Sequence, residues 1–182
     1  MKEVLFVQGA GRGAHDEWDN NLVDSLRREL GARYEIRYPR LPNEADSTLA
    51  DWQPALENEF VALRNDAIVA GHSVGGTILI NVITRLAPAA AIAAIVLIAA
   101  SFIGDGGWPS EDIAPLTYLA ERLPANVPVF LYHEEDDETV PTARVDLYAK
   151  FIPHAQVRRL AGRDHQLNGD LSEVARDILG IE

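Results

Sequence analysis

The chain has 182 residues, no cysteine and a net charge of −12, from 28 acidic against 16 basic side chains. Disulfides, thiolate catalysis and cysteine-ligated metals are excluded, and the negative field repels phosphate backbones and anionic lipid headgroups, so neither nucleic acid nor a membrane is an expected partner. The length suits a single domain, residues 1–182, and the 47% apolar content is that of an ordinary globular protein.

The first predicted strand, Val4–Val7, is too short for the apolar region of a signal peptide. The longest apolar stretch, Leu86 to Ala100, is interrupted by Pro88 and falls short of the roughly 18–20 residues of a membrane helix. A cytoplasmic location is expected. The strand runs into Gln8-Gly9-Ala10-Gly11-Arg12-Gly13-Ala14-His15, a turn whose glycines let backbone approach a ligand closely. Leu22, Leu26 and Leu30 then share one helical face, and Gly31 stops that helix. The second strand is Tyr34–Tyr38. Trp52, Leu56, Phe60 and Leu63 repeat at helical spacing, with Pro54 expected in the first turn.

The third strand, Ala67–Ala70, leads to a helix from Thr77 to Leu86. The fourth is Ala94–Ala99. A helix from Leu116 to Leu123 precedes the fifth, Val127–Tyr132, and one from Thr142 to Phe151 follows it. The sixth strand, Gln156–Leu160, is followed by a closing helix from Leu171 to Leu179. Mostly apolar strands alternating with helices predict an α/β domain: an open, doubly wound parallel sheet with helices on both faces. Such sheets bind ligands at the carboxyl ends of their strands.

At the end of the third strand stands Gly71-His72-Ser73-Val74-Gly75-Gly76, a G-x-S-x-G pattern between strand and helix. There a serine sits in a strained turn that pushes its Oγ out over the sheet. The positions two before and two after must be small, as Gly71 and Gly75 are. The helix beginning near Val74 aims its free N–H groups and dipole at the reacting oxygen. His72 is a poor base, because its neighbour Ser73 lies on a sharp turn and the ring points elsewhere. The base and its acid stand after later strands. His165 ends Gly162-Arg163-Asp164-His165, and five consecutive acids run from Glu134 to Glu138. The acids that do not orient the base are expected to form a solvated face. Asp164 adjoins His165 too closely to meet its ring.

A competing pattern exists. Gly9-x-Gly11-x-x-Ala14 fits the loose dinucleotide fingerprint. The second strand ends in Arg37-Tyr38-Pro39 where an acid would hold the ribose, though an arginine suits a 2′-phosphate. An NADP-binding Rossmann-type oxidoreductase is therefore one alternative, although it leaves Ser73 and His165 unused. A catalytically silent binding protein on the same fold is another.

Taken together, the first-strand glycine loop with Trp18 after it, Trp52-x-Pro54, Gly71 to Gly76, Asp137 to Pro141 and Gly162 to His165 resemble the α/β-hydrolase superfamily over essentially the whole chain. They are similar to its small lidless serine hydrolases and to the retinoblastoma-binding-protein type. The resemblance implies a six-stranded sheet in the order 2-1-3-4-5-6 with a minimal cap: between Ala100 and Val127 there are only 26 residues, including Gly104-Asp105-Gly106-Gly107-Trp108-Pro109. It implies a Ser73, Asp137, His165 triad. Asp137 is preferred because Asp-x-x-Val-Pro matches the family's acid loop, with Asp136 the alternative. It implies backbone oxyanion donors at Ala10, or Gly11 in its place, and at Val74. Gly11, His15 and Trp108 are expected to line the pocket. The expected activity needs no cofactor or metal. It is hydrolysis of a small acyl ester, or of a thioester or amide, through an acyl-enzyme, with a small-molecule ester as partner. The sequence leaves open the acyl and alcohol groups and the oligomeric state.

Overall fold

The computed structural model describes residues 1–86, 92–115, 119–124 and 126–181. Its strands are β1 (Lys2–Val7), β2 (Tyr34–Arg37), β3 (Ala67–His72), β4 (Ile92–Ile98), β5 (Val129–Glu134) and β6 (Gln156–Leu160). They form one sheet in the order β2-β1-β3-β4-β5-β6, and every pairing is parallel, as expected. Two helices, α1 (Asp19–Leu30) and α6 (Ser172–Leu179), cover one face. The other is covered by α2 (Leu49–Val61), α3 (Ser73–Leu86), α4 (Leu119–Arg122) and α5 (Ala143–Phe151).

Side chains alternate across a strand, so each central strand feeds both cores. Val4 and Phe6 pack with Leu22, Leu26 and Ile178, while Leu5 and Val7 pack with Trp52, Leu56 and Ile78. Burial on both sides is why these strands read as unbroken apolar runs, each buried Leu, Val or Phe contributing roughly 1.5–3 kcal/mol. Among the described residues no helix is long and apolar enough to cross a membrane.

Several boundaries differ from expectation, each for a local reason. Thr48 caps α2 one turn early, its Oγ1 accepting the Asp51 N–H at 3.1 Å, so Pro54 lies inside the helix and not in its first turn. β5 begins two residues later than expected and runs on to Glu134, because His133 and Glu134 are buried despite their polarity. Of the expected helix Leu116–Leu123, residues 116–118 lie outside the described residues and Leu119–Arg122 is helical. β3 extends to His72 and α3 begins at Ser73, with no residue between them.

Candidate active site

The abrupt join of β3 to α3 holds Ser73 at φ +51°, a left-handed conformation that costs a residue with a side chain of order 1–3 kcal/mol. Glycines make room for the turn, as the spacing required. A Cβ on Gly71 would lie 2.7 Å from the Gly76 Cα, and one on Gly75 would lie 1.9 Å from the Gln8 carbonyl oxygen. Gly75 therefore faces the end of β1 and not mainly Gly71. The N-terminus of α3 is thereby pressed against the glycine loop.

Ser73, His165 and Asp137 come together from three separate segments. His165 Nε2 lies 3.0 Å from Ser73 Oγ, and His165 Nδ1 lies 2.8 Å from Asp137 Oδ2. The other Asp137 oxygen accepts the N–H groups of Thr139 and Val140, both at 2.8 Å. Burial pushes the Asp137 carboxyl up, but the His165 ring and these N–H groups outweigh it and hold it below the usual carboxylate range. Asp136 is exposed and points no oxygen at the imidazole, and Asp164 instead accepts the Asn168 N–H at 2.7 Å. An ionised Asp137 fixes a hydrogen on His165 Nδ1 and leaves Nε2 free to take the Ser73 proton, which is the chemistry of an activated serine.

Of the two residues considered as oxyanion donor in the first loop, Gly11 is engaged: its N–H donates to the Glu44 carbonyl at 2.6 Å. Ala10 lines the cleft beside Ser73. Val74, the second residue of α3, has an N–H in the helix's first turn, where no intrahelical acceptor exists. That cleft encloses about 970 Å³ between the Gly9–Ala10 backbone, Trp18, Asp19 and the 164–169 loop.

Gly11, His15 and Trp108 do not line this cleft. His15 stacks flat on Tyr38, with ring centroids 4.1 Å apart, and Trp108 packs on the domain core beneath the Arg144 guanidinium. Stacking on Tyr38 and the guanidinium over the indole give these two rings aromatic and cation–π contacts of their own.

Three further carboxylates and one imidazole shape the site, and none of them was given a part in it by the sequence. Glu44 accepts the N–H groups of Gly13 and His15, at 3.0 and 3.1 Å, and so clamps the glycine loop. Asp19 accepts the Gly9 N–H at 2.5 Å. Glu134, expected on a solvated face, is 1% exposed and accepts backbone N–H groups from two loops. Burial drives the His133 pKa down, and its Nε2 lies 2.7 Å from the Val140 carbonyl, bracing the Asp137 turn. His133 and Glu134 left a trace in the sequence, as the two residues that directly continue the β5 run.

The same contacts bear on the dinucleotide alternative. The loop N–H groups that would hold a pyrophosphate face the carboxylates of Asp19 and Glu44, and Arg37 is paired with Glu3 and Glu59. Among the described residues no group of three or more acidic or histidine side chains is arranged to hold a metal ion.

Comparison with known proteins agrees with this architecture. No curated protein matches the chain. Among solved structures, the ydeN gene product from B. subtilis superposes with a TM-score of 0.78 at 17% identity, covering 100% of this chain and 98% of that one. Est1E from Butyrivibrio proteoclasticus, solved with ferulic acid bound, gives 0.74 at 14% identity over 100% and 89%. XC6422 from Xanthomonas campestris, an α/β serine hydrolase without a lid, gives 0.67 at 16% over 98% and 79%. At these identities the likeness is one of fold. The model of the alpha/beta hydrolase family matches residues 4–177, nearly the whole chain, and the protein belongs to that family.

Proposed function

We propose that the protein is a serine hydrolase that cleaves small acyl carboxylic esters without a cofactor. The observation that carries this reading is the unbroken contact chain from Ser73 Oγ to His165 to Asp137, at 3.0 and 2.8 Å, with the serine in a strained turn at a helix N-terminus. Ser73 attacks the carbonyl carbon while His165 Nε2 takes its proton. The N–H groups of Ala10 and Val74 receive the oxyanion, each such donor being worth about 3 kcal/mol in the transition state. As the tetrahedral intermediate collapses, His165 returns the proton to the departing alkoxide. A water activated by the same imidazole then releases the acid and restores Ser73. Est1E, a fold neighbour holding a carboxylic acid, is in keeping with a carboxylic acyl group.

A fluorophosphonate probe tests the reading. It should label Ser73 in the folded wild type and leave Ser73→Ala unlabelled. A folded protein that resists the probe and hydrolyses no p-nitrophenyl ester across a series of acyl lengths would refute it.

A further inference from the structure

His72 immediately precedes Ser73, yet the acyl-transfer scheme gives it no task. It is buried, and both ring nitrogens face oxygen. Nδ1 lies 2.9 Å from Asp19 Oδ1, and Nε2 lies 3.0 Å from the backbone carbonyl of His165. Asp19 is as deeply buried, at the first residue of α1, and its Oδ2 accepts the Gly9 N–H at 2.5 Å. A chain of close contacts thus runs from the Gly9 N–H through the Asp19 carboxylate to the His72 ring, where the link is an ion-pair contact without hydrogen-bond alignment, and on to the His165 carbonyl. Its two ends are the loops that must be in register for Ser73 to react: one continues into Ala10, and the other carries the base. The chain passes close beneath the serine, for a Cβ on Gly9 would lie 3.1 Å from His72 Nδ1 and 3.4 Å from Ser73 Cβ.

The partners set the protonation state. A carbonyl oxygen only accepts, so Nε2 bears a hydrogen. The Asp19 carboxylate 2.9 Å from Nδ1 favours a hydrogen there too, by its charge and not by an aligned hydrogen bond. The ring is then an imidazolium balanced by Asp19. The other titratable groups facing it are the His165 ring, with its centroid 4.9 Å away, and the Asp137 carboxylate beyond. Burial alone pulls the His72 pKa down, but the Asp19 carboxylate and the His165 carbonyl outweigh it and raise it. A buried ion pair is a weak source of net stability, because desolvation offsets the attraction. What this one supplies is geometry.

We propose that Asp19 and His72 are positioning residues for acyl transfer at Ser73. The pair holds the Gly9–Ala10 backbone and the His165 main chain at a fixed separation, and so sets the oxyanion donor and the base against one serine. Neither residue touches the reacting atoms; they act through Ala10 and His165. The inference rests on the serine-hydrolase reading above.

Measurements on the wild type and on two variants test it. In protein with ¹⁵N-labelled histidine, the ring signals of His72 should show both nitrogens protonated at neutral pH. A neutral His72 ring at about pH 6 overturns the ion pair, in the wild type and without any variant. Asp19→Asn should then slow fluorophosphonate labelling of Ser73 and lower kcat on a p-nitrophenyl ester by about tenfold or more, as misplacing an oxyanion donor does, with KM nearly unchanged. His72→Gln should do the same. The wild-type kcat should fall at alkaline pH as His72 loses its proton, and Asp19→Asn should lack that limb. If Asp19→Asn does not fold, His72→Gln and the wild-type limb decide, and a flat alkaline profile overturns the proposal. Equal labelling of wild type and variants refutes the positioning role but leaves the hydrolase reading intact, whereas a wild type that never labels refutes the hydrolase reading itself.

Discussion

The side chain of Glu134 accepts the backbone N–H of Arg163 at 2.8 Å, joining the last residue of β5 to the loop that carries His165. Its other oxygen accepts the Asp136 N–H at 3.2 Å, on the loop that carries Asp137. One buried carboxylate therefore ties together the two loops whose side chains meet at 2.8 Å in the site. Replacing it by Gln keeps one acceptor and turns an amide donor toward a backbone donor. Glu134→Gln should lose about 2 kcal/mol of stability in urea denaturation, the usual scale for hydrogen bonds to a charged group. An unchanged denaturation midpoint would show that the loops hold their places without it.

Backbone strain at Ser73 separates stability from activity. Ala retains a Cβ at φ +51°, whereas Gly adopts that conformation freely. Ser73→Ala should lose activity on the order of 10⁶-fold, and Ser73→Gly should be just as inactive. Thermal unfolding should nevertheless rank Ser73→Gly above Ser73→Ala by about 1 kcal/mol. The opposite ranking would mean that the turn is not strained.

The close approach of α3 to β1 admits no side chain at Gly75. In Gly75→Ala the new methyl would sit 1.9 Å from the Gln8 carbonyl oxygen, and the obstruction is backbone. The variant should be destabilised by about 3 kcal/mol, with labelling of Ser73 impaired as the Gln8–Ala10 segment shifts. Wild-type unfolding and labelling in this variant would place the end of β1 farther from α3.

Asp137 makes stability depend on acidity. Its folded pKa is depressed, so its contribution is fully present above the carboxylate's ordinary range and is lost as pH falls through the folded value. Wild-type melting temperature should therefore decline below about pH 4, and Asp137→Asn should show a shallower decline over that range. Parallel curves would mean that another group governs acid unfolding.

His72 acts in the opposite direction. A raised histidine pKa contributes stability that is complete below the ordinary value and fades as pH rises through the folded one. The melting temperature of the wild type should drop relative to that of His72→Gln between about pH 6.5 and the alkaline limb of kcat. A constant difference between the two would contradict a charged His72 in the folded state.

Much of this could be read from residues alone. Val4–Val7 and Ala67–Ala70 are buried on both faces, which favours unbroken apolar runs, so their place as inner strands of a parallel sheet shows directly in composition. Ser73 was legible because a strained turn demands small neighbours at fixed spacing. His165 and the acid run Glu134 to Glu138 were legible because a doubly wound sheet gathers the ends of its strands along one edge, and within that run Asp137 was preferred on the resemblance of Asp-x-x-Val-Pro to the family's acid loop. The tertiary structure decided what spacing does not encode. It selected Asp137 over the adjacent Asp136 by which carboxylate reached the imidazole. It took Gly11 out of contention by giving its N–H to Glu44, and it moved His15 and Trp108 to other neighbours. It also revealed Glu134, Asp19 and His72 as the polar contacts that hold the loops. Their partners are mostly backbone groups far away in sequence, Arg163 for Glu134 and His165 for His72. A backbone N–H or C=O carries no residue identity, so nothing in a string of side chains announces it.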